Sequence, residues 1–431
     1  MSEPNNVVVA SSNYRSQEPP SMGNKHSVPG KRRTFLGYLA LMGPAFVVGA
    51  WQFGPGNLTT AVQSGSQYGY SLLWVIAVST ILMIAFTDMS VRLGLATPKS
   101  LITVIKEHLG KGTGIAAGFG VFGITLMFSV GNAVGSGLGL SMVFGGSPIL
   151  WTVACTVGVG IILAFRNVYR IIEKVLLLIV AMMAIAFIAS VVIAKPDWYL
   201  SAQGLVPSLP QGSEILVIAL VGTNFSINAA FYNSYGIKEN ARTRADYRDI
   251  TLVDTIPGIV APGIMTALVI MVSAAVLGAT GSEAATINAL AAIFEPLAGP
   301  VGTVLFALGL SGAAFSSMIA NATAGGTMMS DALGRGSRGG SVTSRIVTGI
   351  ILAFGLITTL VFQSSPVGLI VIAQSLTVLI APLLGVLLVL MANNKTVMGD
   401  LGNKWWHNAF GIIGLVAIFA SSIRLIGVLA S

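Results

Sequence analysis

Long apolar stretches alternate along this chain with short polar loops, and the apolar stretches have the length of membrane crossings. Between Arg33 and Asp88 there is no Lys, Arg, Asp or Glu, which leaves room for two crossings of roughly 20 residues each. Continued along the chain, the pattern predicts eleven helical spans, near 36–62, 70–94, 113–144, 148–165, 171–194, 214–236, 252–279, 298–330, 343–363, 366–392 and 406–429. With 54% hydrophobic residues, only 9% charged ones and a mean hydropathy of +0.84, the composition excludes an ordinary soluble globule. The expected class is an all-α polytopic membrane protein.

Two of these spans are interrupted. The first contains Gln52-Phe53-Gly54-Pro55-Gly56-Asn57, where proline removes an amide donor and the two glycines let the backbone leave helical geometry. At bilayer depth, the freed carbonyls and amides need protein or a water-filled cavity to satisfy them. About 170 residues later, span six gathers Thr223, Asn224, Ser226, Asn228 and Asn233, a set that would be costly against lipid. Paired breaks at this separation fit two five-span halves of opposite topology, the plan of inverted-repeat transporters that bind substrate near the midplane. The halves are expected at 34–200 and 201–394, with an added helix at 395–431 and a disordered polar tail at 1–33. The residues expected to contact substrate are Gln52, Gly54, Gly56, Asn57, Thr223, Asn224, Ser226, Asn228 and Gln374. Ser129, Asn132, Asn233, Ser316, Asn321, Ser375 and Thr377 are expected to line the cavity around them.

The positions of the charges give an orientation. All but Lys195 and Arg424 of the 23 Lys and Arg fall on one side of the eleven-span map, together with the tail that carries Arg15, Lys25 and Lys31. The positive-inside rule then places the amino terminus in the cytoplasm and the carboxyl terminus outside, with a bacterial plasma membrane the expected location. The net charge of +8 needs no nucleic acid; it reports topology and an attraction to anionic lipid of the inner leaflet. A single cysteine, Cys155, excludes an intramolecular disulfide and a thiolate metal cluster. On this map the 15 acids and 3 histidines all fall in the tail, in loops or at helix ends. No nucleophile, base and orienting partner come together at membrane depth, so neither an enzyme nor a cofactor is expected.

Several motifs resemble the Nramp family of proton-coupled divalent-metal transporters. Gly43-Pro44-Ala45-Phe46, Pro55-Gly56-Asn57, Gln63-Ser64-Gly65, Ser71-Leu72-Leu73-Trp74 and Arg92-Leu93-Gly94 are similar to its first two helices. Tyr169-Arg170-Ile171-Ile172-Glu173-Lys174 and Lys195-Pro196-Asp197-Trp198 are similar to the borders of its fifth, and Ala381-Pro382-Leu383-Leu384 to its tenth. The resemblance implies a leucine-transporter-like 5+5 inverted repeat with broken helices one and six, and alternating access. It also implies where this chain departs from the family. Gly54 stands where the family has a metal-binding aspartate, which leaves Asn57 as the only retained ligand. Ser226, Ile227 and Asn228 replace Met-Pro-His, Asn233 a second histidine, Asn132 a glutamate of the proton route, and Ser129 another acid. With the metal and proton groups neutralised, the sequence favours a small polar organic solute, such as a carboxylate, lactam or amino acid derivative, bound at the amides of the second half of helix one. The alternatives are a divalent ion, chiefly hydrated Mg2+, held by neutral oxygens, and a non-transporting sensor. The sequence sets no oligomeric state.

Overall fold

The computed structural model describes Gly43, Ala45, Gly49, Met182 and residues 52–164, 184–278, 299–363 and 365–430. The tail 1–33, the basic hairpin 166–174 and most of the first half of span one lie outside these residues. The described helices are α1 (Pro55–Tyr68), α2 (Leu73–Ala96), α3 (Leu101–Leu109), α4 (Lys111–Phe144), α5 (Pro148–Ala164), α6 (Ala184–Ala194), α7 (Trp198–Gln203), α8 (Glu214–Asn224), α9 (Ile227–Glu239), α10 (Ile256–Val276), α11 (Pro300–Ala332), α12 (Val342–Val361), α13 (Pro366–Asn393) and α14 (Trp405–Ala430). They overlap the sequence map span for span from the second crossing to the eleventh, with the fifth present only in part. In the first, α1 runs on to Tyr68, past the expected end at 62. Its last two turns carry the polar Gln63, Ser64 and Ser66, which the hydropathy pattern takes for a loop and the bundle instead covers, with Gln63 and Ser64 buried.

The bundle is held by small residues rather than by polar surfaces facing water, as expected where lipid is the outer solvent. In α14 the buried face carries Gly411, Gly414 and Ser422, while Ile412, Val416, Phe419, Ile423 and Ile426 point outward. The long helices α4 and α11 lie antiparallel at close range. A methyl group at Gly118 would stand 2.1 Å from the Ala332 side chain, and one at Gly139 would stand 2.6 Å from the Ala307 carbonyl oxygen. Any larger side chain at either point would force these helices apart.

Polar anchors cluster at the end of the bundle that carries the basic loops. Asp88, expected at a helix end, lies inside α2, which continues to Ala96, and its carboxylate accepts from Arg92 Nε and from the Tyr247 hydroxyl, each at 2.8 Å. Arg92 is 2% exposed, and its other nitrogens donate to the Leu401 carbonyl and to Asn403 Oδ1. His407, expected at the periphery, is also buried, with Nε2 3.7 Å from Asp88. Three segments distant in sequence thus meet on one ion pair, which explains how an arginine is kept out of water.

Candidate functional site

Both expected interruptions are present. The residue before α1 is Gly54, extended at φ −86° and ψ −178°, with no side chain capping the helix start. The second interruption falls at Phe225 and Ser226, whose φ/ψ of −100°/63° and −78°/90° separate α8 from α9. The two breaks are tied directly: Gln52 Nε2 donates to the Asn224 carbonyl at 3.2 Å, across 172 positions of sequence.

Gln374 from α13 closes the gap between them. A Cβ built on Gly56 would lie 2.5 Å from its Cδ and Nε2, and one built on Gly131 would lie 2.7 Å from the same nitrogen. Its carboxamide is therefore wedged between α1 and α4 at two glycines, where no other residue leaves enough room. Gly222 makes the matching approach from α8, with its Cβ position 2.6 Å from Thr377 Oγ1. A cavity of about 10 Å³ beside the second break is lined by Ser226, Asn228 and Thr377 together with Ile124, Ala381 and Ile418. That is room for about one water molecule.

The chemistry here is neutral. Asn57 Oδ1 accepts from the Thr266 hydroxyl at 3.1 Å, and Asn228 Oδ1 accepts from the Ser226 hydroxyl at 2.8 Å. In both side chains Nδ2 is buried without a partner, as are Asn132 Nδ2, Asn233 Oδ1, Asn321 Oδ1 and Gln374 Oε1. Buried polar atoms left unpaired cost about 1–3 kcal/mol each, so six on the predicted residues mark polar capacity held in reserve. Asn57 and Asn228 each lean on a hydroxyl, which can accept as well as donate. A half turn of either amide keeps that bond and presents an oxygen in place of the nitrogen. The two breaks can therefore offer donors or acceptors.

Other expected residues play different parts. Asn224 Nδ2 donates to the Ile76 carbonyl, Ser79 Oγ and Thr80 Oγ1, so its side chain fixes the second break to α2. The Thr223 hydroxyl donates back to the Ala219 and Leu220 carbonyls within its own helix. Ser129 faces α12, its hydroxyl 2.8 Å from the Cβ position of Gly355, on the side of α4 opposite Gly131. Ser375 bridges to the Ile215 carbonyl, Thr377 donates to the Gln374 carbonyl, and Asn321 Nδ2 donates to the Thr125 carbonyl. Asn233 Nδ2 turns back on the Ala229 carbonyl, and Ser316 is half-buried. Sequence reasoning missed Thr266. Its signal was a threonine one turn after Pro262, within the apolar run 256–272.

Among the described residues no three of His, Cys, Asp and Glu come together as a metal site. Four acids are nevertheless buried among the described residues, Asp88, Asp246, Asp254 and Asp331, which corrects the expectation that every acid is peripheral. Asp331 accepts from the Tyr235 and Thr103 hydroxyls, and Asp254 from backbone amides near Gly43, so each is engaged away from the breaks.

Residues 45–427 match the family model described as natural resistance-associated macrophage protein-like, Nramp. The divalent metal cation transporter MntH of Bacillus subtilis is 28% identical over 95% of this chain and 97% of its own length. The MntH of Pectobacterium carotovorum is 25% identical over 90% and 94%. Among solved structures, a mutant of the Eremococcus coleocola manganese transporter superposes with a TM-score of 0.74, 18% identity and coverage of 93% and 88%. MhsT in complex with L-phenylalanine superposes with a TM-score of 0.59, 17% identity and coverage of 88% and 98%. These two likenesses show the fold, an all-helical leucine-transporter-like arrangement with the first and sixth helices broken.

Proposed function

The chain belongs to the Nramp family of multi-pass membrane transporters, and from that premise we propose that it carries a divalent metal cation by alternating access, the ion keeping much of its water shell at the two breaks. The curated relatives are divalent metal cation transporters by name, which turns the balance from the organic solute favoured by the sequence toward an ion. The observation that carries the hydrated form is the donor set. Asn57, Asn228, Ser226 and Gln374 offer only neutral oxygens and nitrogens, and the position of Gly54 supplies no carboxylate. Neutral oxygens suit a hard ion such as Mg2+, whereas tight binding of a dehydrated transition metal calls for carboxylate, imidazole or thiolate. A cavity of about 10 Å³ cannot take a hydrated ion, so the site fills only when one end opens. The positive-inside rule favours a cytoplasmic side for the end of the bundle with the basic loops.

No titratable side chain among the described residues lines the breaks, so proton coupling is not part of the proposal. Two positive charges crossing down the membrane potential gain about 4.6 kcal/mol per 100 mV, which is enough to drive uptake.

A second reading stays in play on one observation. As placed, Asn57 and Asn228 present Nδ2 donors, which match the carbonyl or carboxylate of a small organic solute. Uptake into proteoliposomes under an imposed potassium diffusion potential separates the two. Magnesium influx that rises with the potential supports the ion. Influx of a carboxylate or lactam, with none of magnesium or manganese, overturns it.

A further inference from the structure

Thr266 is wholly buried on α10, one turn after Pro262, and its hydroxyl lies between two oxygens: the Pro262 carbonyl at 2.8 Å and Asn57 Oδ1 at 3.1 Å. A hydroxyl has one hydrogen to give and two lone pairs with which to accept. The Pro262 carbonyl can only accept. The Asn57 carboxamide has the same shape turned either way, so it can meet the hydroxyl with oxygen or with nitrogen. With Oδ1 toward Thr266, two oxygens compete for one hydrogen and only one contact is a hydrogen bond. With Nδ2 toward Thr266, the hydroxyl gives its hydrogen to Pro262 and accepts from Asn57, so both contacts are bonds. The fully bonded arrangement therefore places at the first break an oxygen without a protein partner, where the opposite turn leaves an unpaired Nδ2.

The relay has a fixed end. Its acceptor is a backbone carbonyl of α10, and α10 is held against α1 by the Ser273 hydroxyl, which donates to the Val62 carbonyl at 2.6 Å. A Cβ on Gly65 would stand 2.3 Å from the Ile270 carbonyl oxygen, so the two helices are already in close contact. The second break has no such relay. Among the described residues the Ser226 hydroxyl bonds only to Asn228, at 2.8 Å, so it can give or accept and leaves that amide free to turn. Two asparagines that look alike in sequence thus differ: one is polarised and the other adapts.

We propose that Thr266 is a positioning residue that sets the substrate class of the site, by holding Asn57 with its amide oxygen toward the substrate. An oxygen there accepts from the water shell of a divalent cation, whose hydrogens point outward, or touches the ion itself. It repels the carbonyl or carboxylate of an organic solute, which would meet it oxygen to oxygen. The proposal deepens the reading of the breaks as a cation site and rests on it.

Calorimetric titration of the full-length protein in detergent with magnesium chloride tests it. Thr266→Val keeps the side-chain shape and removes the hydroxyl; magnesium affinity falls about tenfold, as is usual when a group that orients a ligand is lost, and Thr266→Ser recovers most of it. In Asn57→Asp both ends of the side chain are oxygens, so Thr266 has nothing left to orient. Adding Thr266→Val to that background changes affinity by less than about twofold. A merely structural role would cost the same tenfold in both backgrounds; that result, or unchanged affinity in Thr266→Val alone, overturns the proposal. Thr266→Ala serves if Thr266→Val does not fold. NMR of protein labelled with 15N at asparagine reads the relay without substrate. One side-chain amide proton of Asn57, identified by its loss in Asn57→Asp, lies downfield through its bond to Thr266 and moves back in Thr266→Val. That shift in a protein that binds no magnesium would remove the cation reading and keep the relay; its absence removes the relay whatever the substrate.

Discussion

Replacing Gly56 by alanine tests whether the Gln374 wedge governs the site. The new methyl group would lie 2.5 Å from Gln374 Cδ and Nε2 and 2.9 Å from Cγ, against an ordinary contact of about 3.5 Å or more. All three atoms belong to one flexible side chain, so the clash is relieved by moving Gln374 about 1 Å out of the gap, and not by parting α1 from α13. Overpacking of this kind costs about 1–3 kcal/mol of stability. Moving the carboxamide also withdraws Oε1 from the site, and loss of one such contact weakens substrate binding by about tenfold. The assay is a double-mutant cycle in thermal unfolding and in uptake KM, with Gly56→Ala, Gln374→Ala and the two combined. In the double variant the shortened side chain at 374 accepts the methyl group, so stability is regained relative to Gly56→Ala alone. Uptake stays impaired, because the carboxamide is gone. Strict additivity of the two stability losses would refute the wedge. An unchanged KM in Gly56→Ala would remove Gln374 from the site.

Four further outcomes follow from the same geometry. Asn224→Ala takes a donor from Ile76, Ser79 and Thr80 at once, and lowers stability by about 2–3 kcal/mol in a thermal scan, with KM shifted only through the position of the second break. Arg92→Ala leaves Asp88 buried without its ion partner and costs about 3–5 kcal/mol, enough to reduce the yield of folded protein in detergent. Gly54→Asp restores a carboxylate beside the break at a backbone conformation open to any residue, and tightens manganese binding about tenfold or more by calorimetry while magnesium changes less. Uptake under a fixed membrane potential stays flat between about pH 6 and 8, because no group that titrates there lines the breaks; a steep change across that window would point to a proton carrier.

Hydropathy alone laid out the spans because lipid demands about 20 apolar residues per crossing, and few sequences meet that condition by accident. The breaks were legible for a related reason: Gly-Pro-Gly and a crowd of amides are both costly at bilayer depth unless they serve a site. The direction in which each polar side chain points was not legible. Asn224 and Asn228 lie four residues apart and look equivalent in sequence, but the break between them reverses the helix start, so one is spent on α2 and the other keeps a free nitrogen. Ser129 and Gly131 sit on opposite faces of α4, a fact that depends on which helices flank it. Asp254 read as a helix-end acid because its partners, the Gly43 and Ala45 amides, carry no side-chain signal. Nor does the sequence near Asp88 and Arg92 reveal their burial, since the loop carbonyl and asparagine that bury the pair lie some 310 positions away.

The central claim is that neutral amides at two tied helix breaks bind a hydrated divalent cation. Calorimetric titration of the purified protein against magnesium, manganese and a panel of small carboxylates, amino acids and lactams tests it most directly, with Asn57→Ala and Asn228→Ala as controls. Saturable heat from magnesium that both substitutions abolish, with weaker binding of manganese, is the predicted result. Heat from one organic compound, abolished by the same substitutions while both metals stay silent, would contradict it.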